Sequence, residues 1–320
     1  MPDFAGMTYL TFETCYYLGM KEWLSEKKKI VGEINSEYGK LIILVSLFFI
    51  CVGLALTIFS LMVTQKLEVS FLDVGQGDAI LIQTPSGKSM LIDGGPNNNI
   101  LAKLAREMSY FNRKIDVMEE THSDADHIIG LIPVLEKFNV KEIILSKAVS
   151  DTKIFDDLNI HIKNENANTH VAVAGDIIDF HDGVIVKVIY PASNYIAKKN
   201  DTNDASISVE VIYGNETFLL TGDLPSTEEL KLISGGVTKN ITVYKAGHHG
   251  SKYSSSELLL TYIKPEYSVI SAGKDNRYGH PNVEAIERLQ KYSKEILSTI
   301  DRGTISFITD GRMMEVETGK

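Results

Sequence analysis

The sequence predicts an α/β protein, an αββα sandwich preceded by a single transmembrane helix. Three observations carry that expectation. Residues 41–63 contain no charged side chain, and at about 1.5 Å per residue such a helix crosses a hydrocarbon core of about 30 Å. From Leu67 onward, strand-like and helix-like runs alternate in two strand-rich halves, and sheets each covered by helices on one face pack as a layered sandwich. Clusters of histidine and aspartate follow directly on apolar strand-like runs, so that side chains from separate strand ends meet at one edge between the sheets.

The amino-terminal part divides at residue 40. Residues 1–40 mix aromatic side chains (Phe4, Tyr9, Phe12, Tyr16, Tyr17, Trp23) with charges and read as a tail rather than as an amphipathic helix on a membrane surface. Residues 41–63 are apolar on every face, unlike a one-sided core helix. They lie too far from the start, without small residues at a cut site, for a cleaved signal peptide. Lys21, Lys27, Lys28, Lys29 and Lys40 precede the span and Lys66 follows it, which places the amino terminus in the cytoplasm and residues 67–320 outside by the positive-inside rule.

Charge and cysteine usage narrow the possibilities. The 320 residues carry a net charge of −10, and residues 1–66 hold six lysines against six carboxylates, so the acidic excess lies in the remaining portion. That argues against a general binder of duplex nucleic acid, whose affinity comes mainly from Lys and Arg at phosphates. Both cysteines, Cys15 and Cys51, precede residue 67, so no disulfide within the large domain is possible. Roughly 250 residues suit one domain with a full core.

Along the domain, residues 67–74, 79–83 and 89–92 read as an antiparallel meander turned at Gly75-Gln76-Gly77 and Pro85-Ser86-Gly87. A helix is expected over 99–108, a strand over 115–119 and a helix over 128–138. Further runs are strands at 141–145 and 183–190, a helix at 151–158, and a second meander at 205–212 and 217–221. Residues 241–244 form another strand, 282–292 a helix after Pro281, and 304–308 and 314–316 closing strands. Residues 163–169 read as a solvated loop, and His161, His170 and His181 have no motif neighbours.

The chemistry concentrates at His122-Ser123-Asp124-Ala125-Asp126-His127. Two imidazoles and two carboxylates in six residues suit a divalent metal, although a surface loop can carry this composition by chance. Thr221-Gly222-Asp223 and Ala246-Gly247-His248-His249-Gly250-Ser251 supply further ligand types at strand ends. Adjacent side chains on a strand point opposite ways, so only one of His248 and His249 is expected at the metal. His248 is the choice, with His249 behind it or touching substrate. Asp73 and Asp78 read as turn-capping carboxylates. Lys245, Ser251 and Lys252 are candidate phosphate contacts, and His280 either donates a hydrogen bond to substrate or caps the next helix.

Five segments in register carry a family resemblance: Phe71-Leu72-Asp73-Val74-Gly75-Gln76-Gly77-Asp78-Ala79, Leu91-Ile92-Asp93-Gly94-Gly95, the H-x-D-x-D-H core, Thr221-Gly222-Asp223 and His248-His249-Gly250-Ser251. From about residue 69 to 310 the chain resembles the metallo-β-lactamase superfamily of binuclear metallohydrolases, and within it the ComEC/Rec2-like branch associated with DNA uptake. The resemblance implies two divalent ions, Zn²⁺ or Mn²⁺. His122 and Asp124 would hold one, Asp126, His127 and His248 the other, and Asp223 would bridge them. Asp93 would hold loops by hydrogen bonds, a metal-bound hydroxide would be the nucleophile, and Asp126 would orient it.

Two departures stand out. Asp124 occupies the place of the commoner second histidine, and a further histidine expected before the Gly-Asp turn has no counterpart, leaving Asn203, Asp204 and Ser206 as local candidates. Oxygen ligands make Mn²⁺ competitive with Zn²⁺. The expected activity is a membrane-anchored phosphodiesterase or nuclease. Hydrolysis of another ester, a lactone, a β-lactam or a phosphocholine ester is the alternative, and a non-catalytic anchored binding module a second one. No partner protein is identifiable, and a channel for DNA would need one.

Overall fold

The computed structural model describes residues 12–62, 66–109, 112–199 and 201–319. The chain divides into two units, residues 1–62 and 63–320. The first is one helix, Phe12–Met62. The tail expected over residues 1–40 is therefore helical from Phe12 onward, continuous with the apolar stretch, while residues 1–11 and Val63 at the end of the expected span lie outside the described residues. Within it, Gly19–Ile58 is long and apolar enough to cross a membrane, with the side chains of its apolar window unburied by protein.

In the second unit, β1 (Leu67–Phe71), β2 (Ile80–Gln83), β3 (Ser89–Ile92), β4 (Lys114–Glu120), β5 (Asn139–Leu145) and β6 (Asn168–Val171) enter the first sheet. The second sheet follows with β7 (Ile177–Asp179), β8 (Val184–Tyr190), β9 (Ser208–Tyr213), β10 (Glu216–Leu220), β11 (Val243–Lys245), β12 (Tyr267–Ile270) and β13 (Glu295–Ser298). Then β14 (Ile305–Thr309) and β15 (Met314–Thr318) return to the first, in the order β15-β14-β1-β2-β3-β4-β5-β6 against β13-β12-β11-β10-β9-β8-β7. Each sheet is antiparallel on one side and parallel on the other, changing at β3/β4 and at β10/β11.

The period-two pattern of the strands builds the layers. Ile80, Ile82, Met90 and Ile92 meet Val209, Val211, Phe218 and Val243 in the core between the sheets. Leu81 and Leu91, from alternate positions, pack outward against Ile100, Leu104, Leu131, Val134 and Leu158 of the first helical layer. Leu232, Leu259, Leu260 and Leu289 cover the second sheet in the same way. The result is the αββα order, with helices Ser226–Ser234 and Glu257–Ile263 and strands β7, β12 and β13 added to those legible in the sequence. Asn168 to Val171, half of it expected as loop, pairs as an exposed edge strand.

The helix expected over 128–138 is interrupted. Gly130 N–H donates to Gly95 O at 2.9 Å, and His127 O accepts from Gly94 N at 2.8 Å. These bonds take a donor and an acceptor out of the helical ladder, leaving Ala125–Ile128 and Leu131–Lys137. They also fasten the loop after β3 to the loop after β4. A Cβ on Gly130 would stand 1.8 Å from Gly94 O, so neither backbone can yield to a side chain. Gly130→Ala is expected to destabilise the domain by about 1–3 kcal/mol, read as a lowered midpoint in thermal unfolding; an unchanged midpoint would refute this contact.

Candidate metal centre

The site lies at the carboxyl ends of β3, β4, β10, β11 and β12, where parallel strands present their following loops. Asp93 anchors it. Its Oδ1 accepts from Thr121 N at 2.9 Å, and its Oδ2 accepts from Thr121 Oγ1 at 2.6 Å and faces His127 Nδ1 at 2.7 Å. With Nδ1–H engaged there, the neutral ring of His127 carries its lone pair on Nε2. On the other side His249 Nδ1 donates to Ser271 O at 2.9 Å, which leaves its Nε2 bare as well. Those two nitrogens stand 3.3 Å apart. Asp223 Oδ2 lies 3.3 Å from the first and 3.1 Å from the second, and Asp126 Oδ2 lies 3.5 Å from His249 Nε2.

A second group shares the same Asp223 oxygen. Thr121 Oγ1, having given its proton to Asp93, accepts from His122 Nδ1 at 3.0 Å, so His122 also aims a bare Nε2 inward. That nitrogen is buried without a hydrogen-bond partner, 3.8 Å from Asp124 Oδ2 and 3.9 Å from Asp223 Oδ2. His248 Nε2 stands 3.7 Å from the same Asp223 oxygen. The Asn203 amide lies 3.4 Å from His248 Nδ1, and Asn203 Oδ1 has no partner. Turned so that this oxygen faces the ring, the amide fixes the imidazole by its Nδ1–H.

The rule that kept one of His248 and His249 from the site does not apply here, because they are not on a strand. Both adopt left-handed backbone angles, φ 48° and 56°, in the turn Gly247–Gly250. That turn swings both rings toward Asp223. Asp78, His127, Asp223 and His249 are all buried, with ligand atoms within 4.8 Å of one another, so His249, expected behind the site, stands within it. Bare imidazole nitrogens converging on a shared carboxylate fit a cation, and so does the orphaned His122 Nε2.

Residues 72–153 match the profile of the metallo-beta-lactamase superfamily. The chain carries a metallo-β-lactamase domain. ComE operon protein 3 of Bacillus subtilis (strain 168) is 30% identical over 258 residues, 75% of this chain and 33% of that protein. Recombination protein 2 of Haemophilus influenzae is 29% identical over 264 residues, 79% of this chain and 31% of that protein. The chain thus spans about a third of the length of these relatives. Among solved structures, the metallo-beta-lactamase fold protein YhfI from Bacillus subtilis aligns with a TM-score of 0.48 at 11% identity, covering 74% of this chain and 98% of that one.

Electrostatics within the metallo-β-lactamase site follow from burial and pairing. Burial opposes charge on His249, but Asp223 and Asp78 outweigh it and raise its pKa to about 9. His127 is raised well above its ordinary value against the same burial, by Asp223 and Asp93. His122 is pushed well below, by burial and by His127 beside it. Asp223, with both basic imidazoles and Lys245 around it, lies far under the usual carboxylate range despite burial. The raised imidazoles hold protons against Asp223, and a metal ion binding there would displace them.

Lys245 was expected to touch phosphate and does not. It is fully buried at the end of β11. Its ammonium donates to Gly222 O at 2.9 Å, pairs closely with Asp78 and lies 3.5 Å from Asp223 Oδ1. Asp78 is accordingly no turn cap: it is 1% exposed, and burial pushes its carboxyl up while Lys245 and His249 hold it well down. Gly77 allows this placement, since a Cβ there would lie 2.0 Å from Asp126 O.

Of the other two expected phosphate contacts, Lys252 is exposed and Ser251 is buried. Its amide donates to His248 O at 2.9 Å and its Oγ accepts from Tyr253 N at 3.3 Å, so it braces the histidine turn. Asp124 is the exposed member of the group, with 42% of its side chain accessible and Oδ1 held by Thr202 Oγ1. His280 sits beside the site, its ring centroid 5.3 Å from that of His248 and its Nδ1 buried without a partner.

The sequence held one signal for the Lys245–Asp78 pair: a lysine closing an apolar strand must find a carboxylate once the strand is buried. Lys245→Met is expected to cost about 3–5 kcal/mol in unfolding free energy, because it strands a buried anion. Asp78→Asn added to it should recover part of that loss. Additive destabilisation in chemical denaturation would show that the pair is uncoupled.

Proposed function

We propose that the metallo-β-lactamase domain is a two-ion phosphodiesterase or nuclease, tethered to a membrane by the apolar half of its amino-terminal helix with the amino terminus cytoplasmic and the domain outside. The observation that carries the reading is the shared carboxylate. Asp223 Oδ2 lies 3.1 Å from His249, 3.3 Å from His127, 3.7 Å from His248 and 3.9 Å from His122. Asp126 adjoins His249 and Asp124 adjoins His122, so one carboxylate oxygen is shared by donors enough for two ions. In this reading His248 occupies the role of the histidine missing before the Gly-Asp turn, and His249 takes the place first given to His248. When bound, a pair of Zn²⁺ or Mn²⁺ ions supplies Lewis acidity and lowers the pKa of water towards neutrality.

The chain's own groups do the remaining work. Asp93, Ser271 O and Asn203 orient the three imidazoles, as partners of a ligating histidine do. Asp126, with its side chain 20% accessible, is placed to accept the proton of the attacking water. His280, held neutral by burial and by His248, donates a hydrogen bond to the leaving oxygen. The carboxylate Asp124 on the more open side favours Mn²⁺, and a phosphodiester oxygen is a suitable anion to approach two cations. The relative named Recombination protein 2 supports a nucleic-acid substrate. The net charge of −10 favours the competing reading, hydrolysis of a small ester other than a phosphodiester.

Elemental analysis of the purified full chain is expected to find about two divalent ions per protein, and about one fewer in either His248→Ala or His249→Ala. One ion in the wild type would reject the two-ion reading. Asp93→Ala should weaken ion binding by about 10–100-fold. With Mn²⁺ present, single-stranded DNA and bis(p-nitrophenyl) phosphate should be cleaved and EDTA should stop the reaction. Intact phosphodiesters alongside hydrolysis of a carboxylic ester would overturn the substrate assignment and leave the metal site standing.

A further inference from the structure

Beside Asp126 the surface opens into a cavity of about 390 Å³ lined by Gln76, Pro96, Ala125, Ile129, Asn276, Arg277 and Tyr278. Its size lies at the small end of ligand sites. Its walls are of two kinds. Pro96, Ala125 and Ile129 offer apolar surface, while Tyr278, 45% exposed, offers a ring face with the Arg277 guanidinium 4.7 Å from its centroid.

The loop that carries them is fastened from within. Asn276 Nδ2 donates to Gly273 O at 2.9 Å and to His280 O, and its Oδ1 accepts from the amides of Tyr278 and His280 at 3.1 Å each. The Tyr278 ring lies parallel to that of His280, with 14° between planes, and His280 in turn adjoins His248. Tyr278, His280 and His248 therefore form a row of three rings from the cavity to the histidine turn.

Gln76 adds a second, independent observation. Its Oε1 accepts from Gly273 N at 3.2 Å, which fixes the amide, and its Nε2 is buried with no hydrogen-bond partner. A buried donor without an acceptor is costly, and the residue lines the cavity. We propose that this cavity receives the base of the nucleotide next to the scissile phosphate, with Tyr278 stacking on it and Gln76 donating to a base carbonyl. Arg277, which lies over the Tyr278 ring and donates to its hydroxyl, turns off that ring to meet the adjoining phosphate. The inference rests on the phosphodiesterase reading and deepens it. A base paired and stacked inside a duplex cannot enter, so the substrate class is a single strand.

The test is equilibrium binding by the full chain in detergent, at low salt with EDTA, of a fluorescent hexathymidylate and of a hexamer of abasic deoxyribose phosphate. The wild type should prefer the thymidylate by about tenfold, as expected for one stacked base. Tyr278→Ala and Gln76→Ala should each bring that ratio towards one, while Tyr278→Phe keeps it. Equal affinity for the two oligomers, no detectable binding of either, or an undiminished ratio in Tyr278→Ala overturns the subsite. A preserved preference in a protein that cleaves no phosphodiester with Mn²⁺ would instead reject the activity and keep the pocket.

Discussion

Asp223 imposes the constraint on which the rest of the domain depends. A carboxylate 2% exposed is tolerated only where positive charge or hydrogen-bond donors surround it. Lys245 answers one oxygen and four histidines crowd the other. Every segment that meets there is fixed by a bond made elsewhere: Thr121 to Asp93, Gly94 to His127, Ser206 Oγ to Asp223 N, Ser271 Oγ to Gly77 O. The donors are in place before any ligand arrives, which lowers the ordering cost of binding one.

Both sheets solve the placement problem in the same way. Each begins with antiparallel strands and ends with parallel ones, and only the parallel portion aims successive loops in one direction. The histidines and aspartates of the site, apart from Asp78, come from those loops. The antiparallel portions, by contrast, supply apolar faces to the interior and Asp78 from the turn between β1 and β2. Packing and chemistry are thus divided between the two halves of each sheet, and they touch where Asp78 pairs with Lys245.

Much of this was legible beforehand, for identifiable reasons. Strands with alternating apolar residues and the H-x-D-x-D-H turn are local signals, and so were the two meanders. The helix at 128–138 misled because its interruption at Gly130 depends on Gly94 and Gly95, more than thirty residues earlier in the chain. Lys245 and Ser251 read as phosphate contacts because nothing adjacent in sequence reveals that Lys245 pairs with Asp78 or that Ser251 braces the histidine turn. His248 and His249 were judged by strand geometry, whereas Gly247 and Gly250 on either side let the backbone turn left-handed. Residues 12–40 looked like part of a tail because their charges obscure a helix that continues into the apolar span.

That left-handed pair has a price. Non-glycine residues at positive φ cost of order 1–3 kcal/mol each, and here two stand in succession at φ 48° and 56°. The turn stores conformational energy and brings both imidazoles to Asp223. A glycine in place of His248 would release part of it, so that variant should outlast the wild type on heating. Tolerance of such a turn is the mark of a fold kept slightly unstable for the sake of its reactivity.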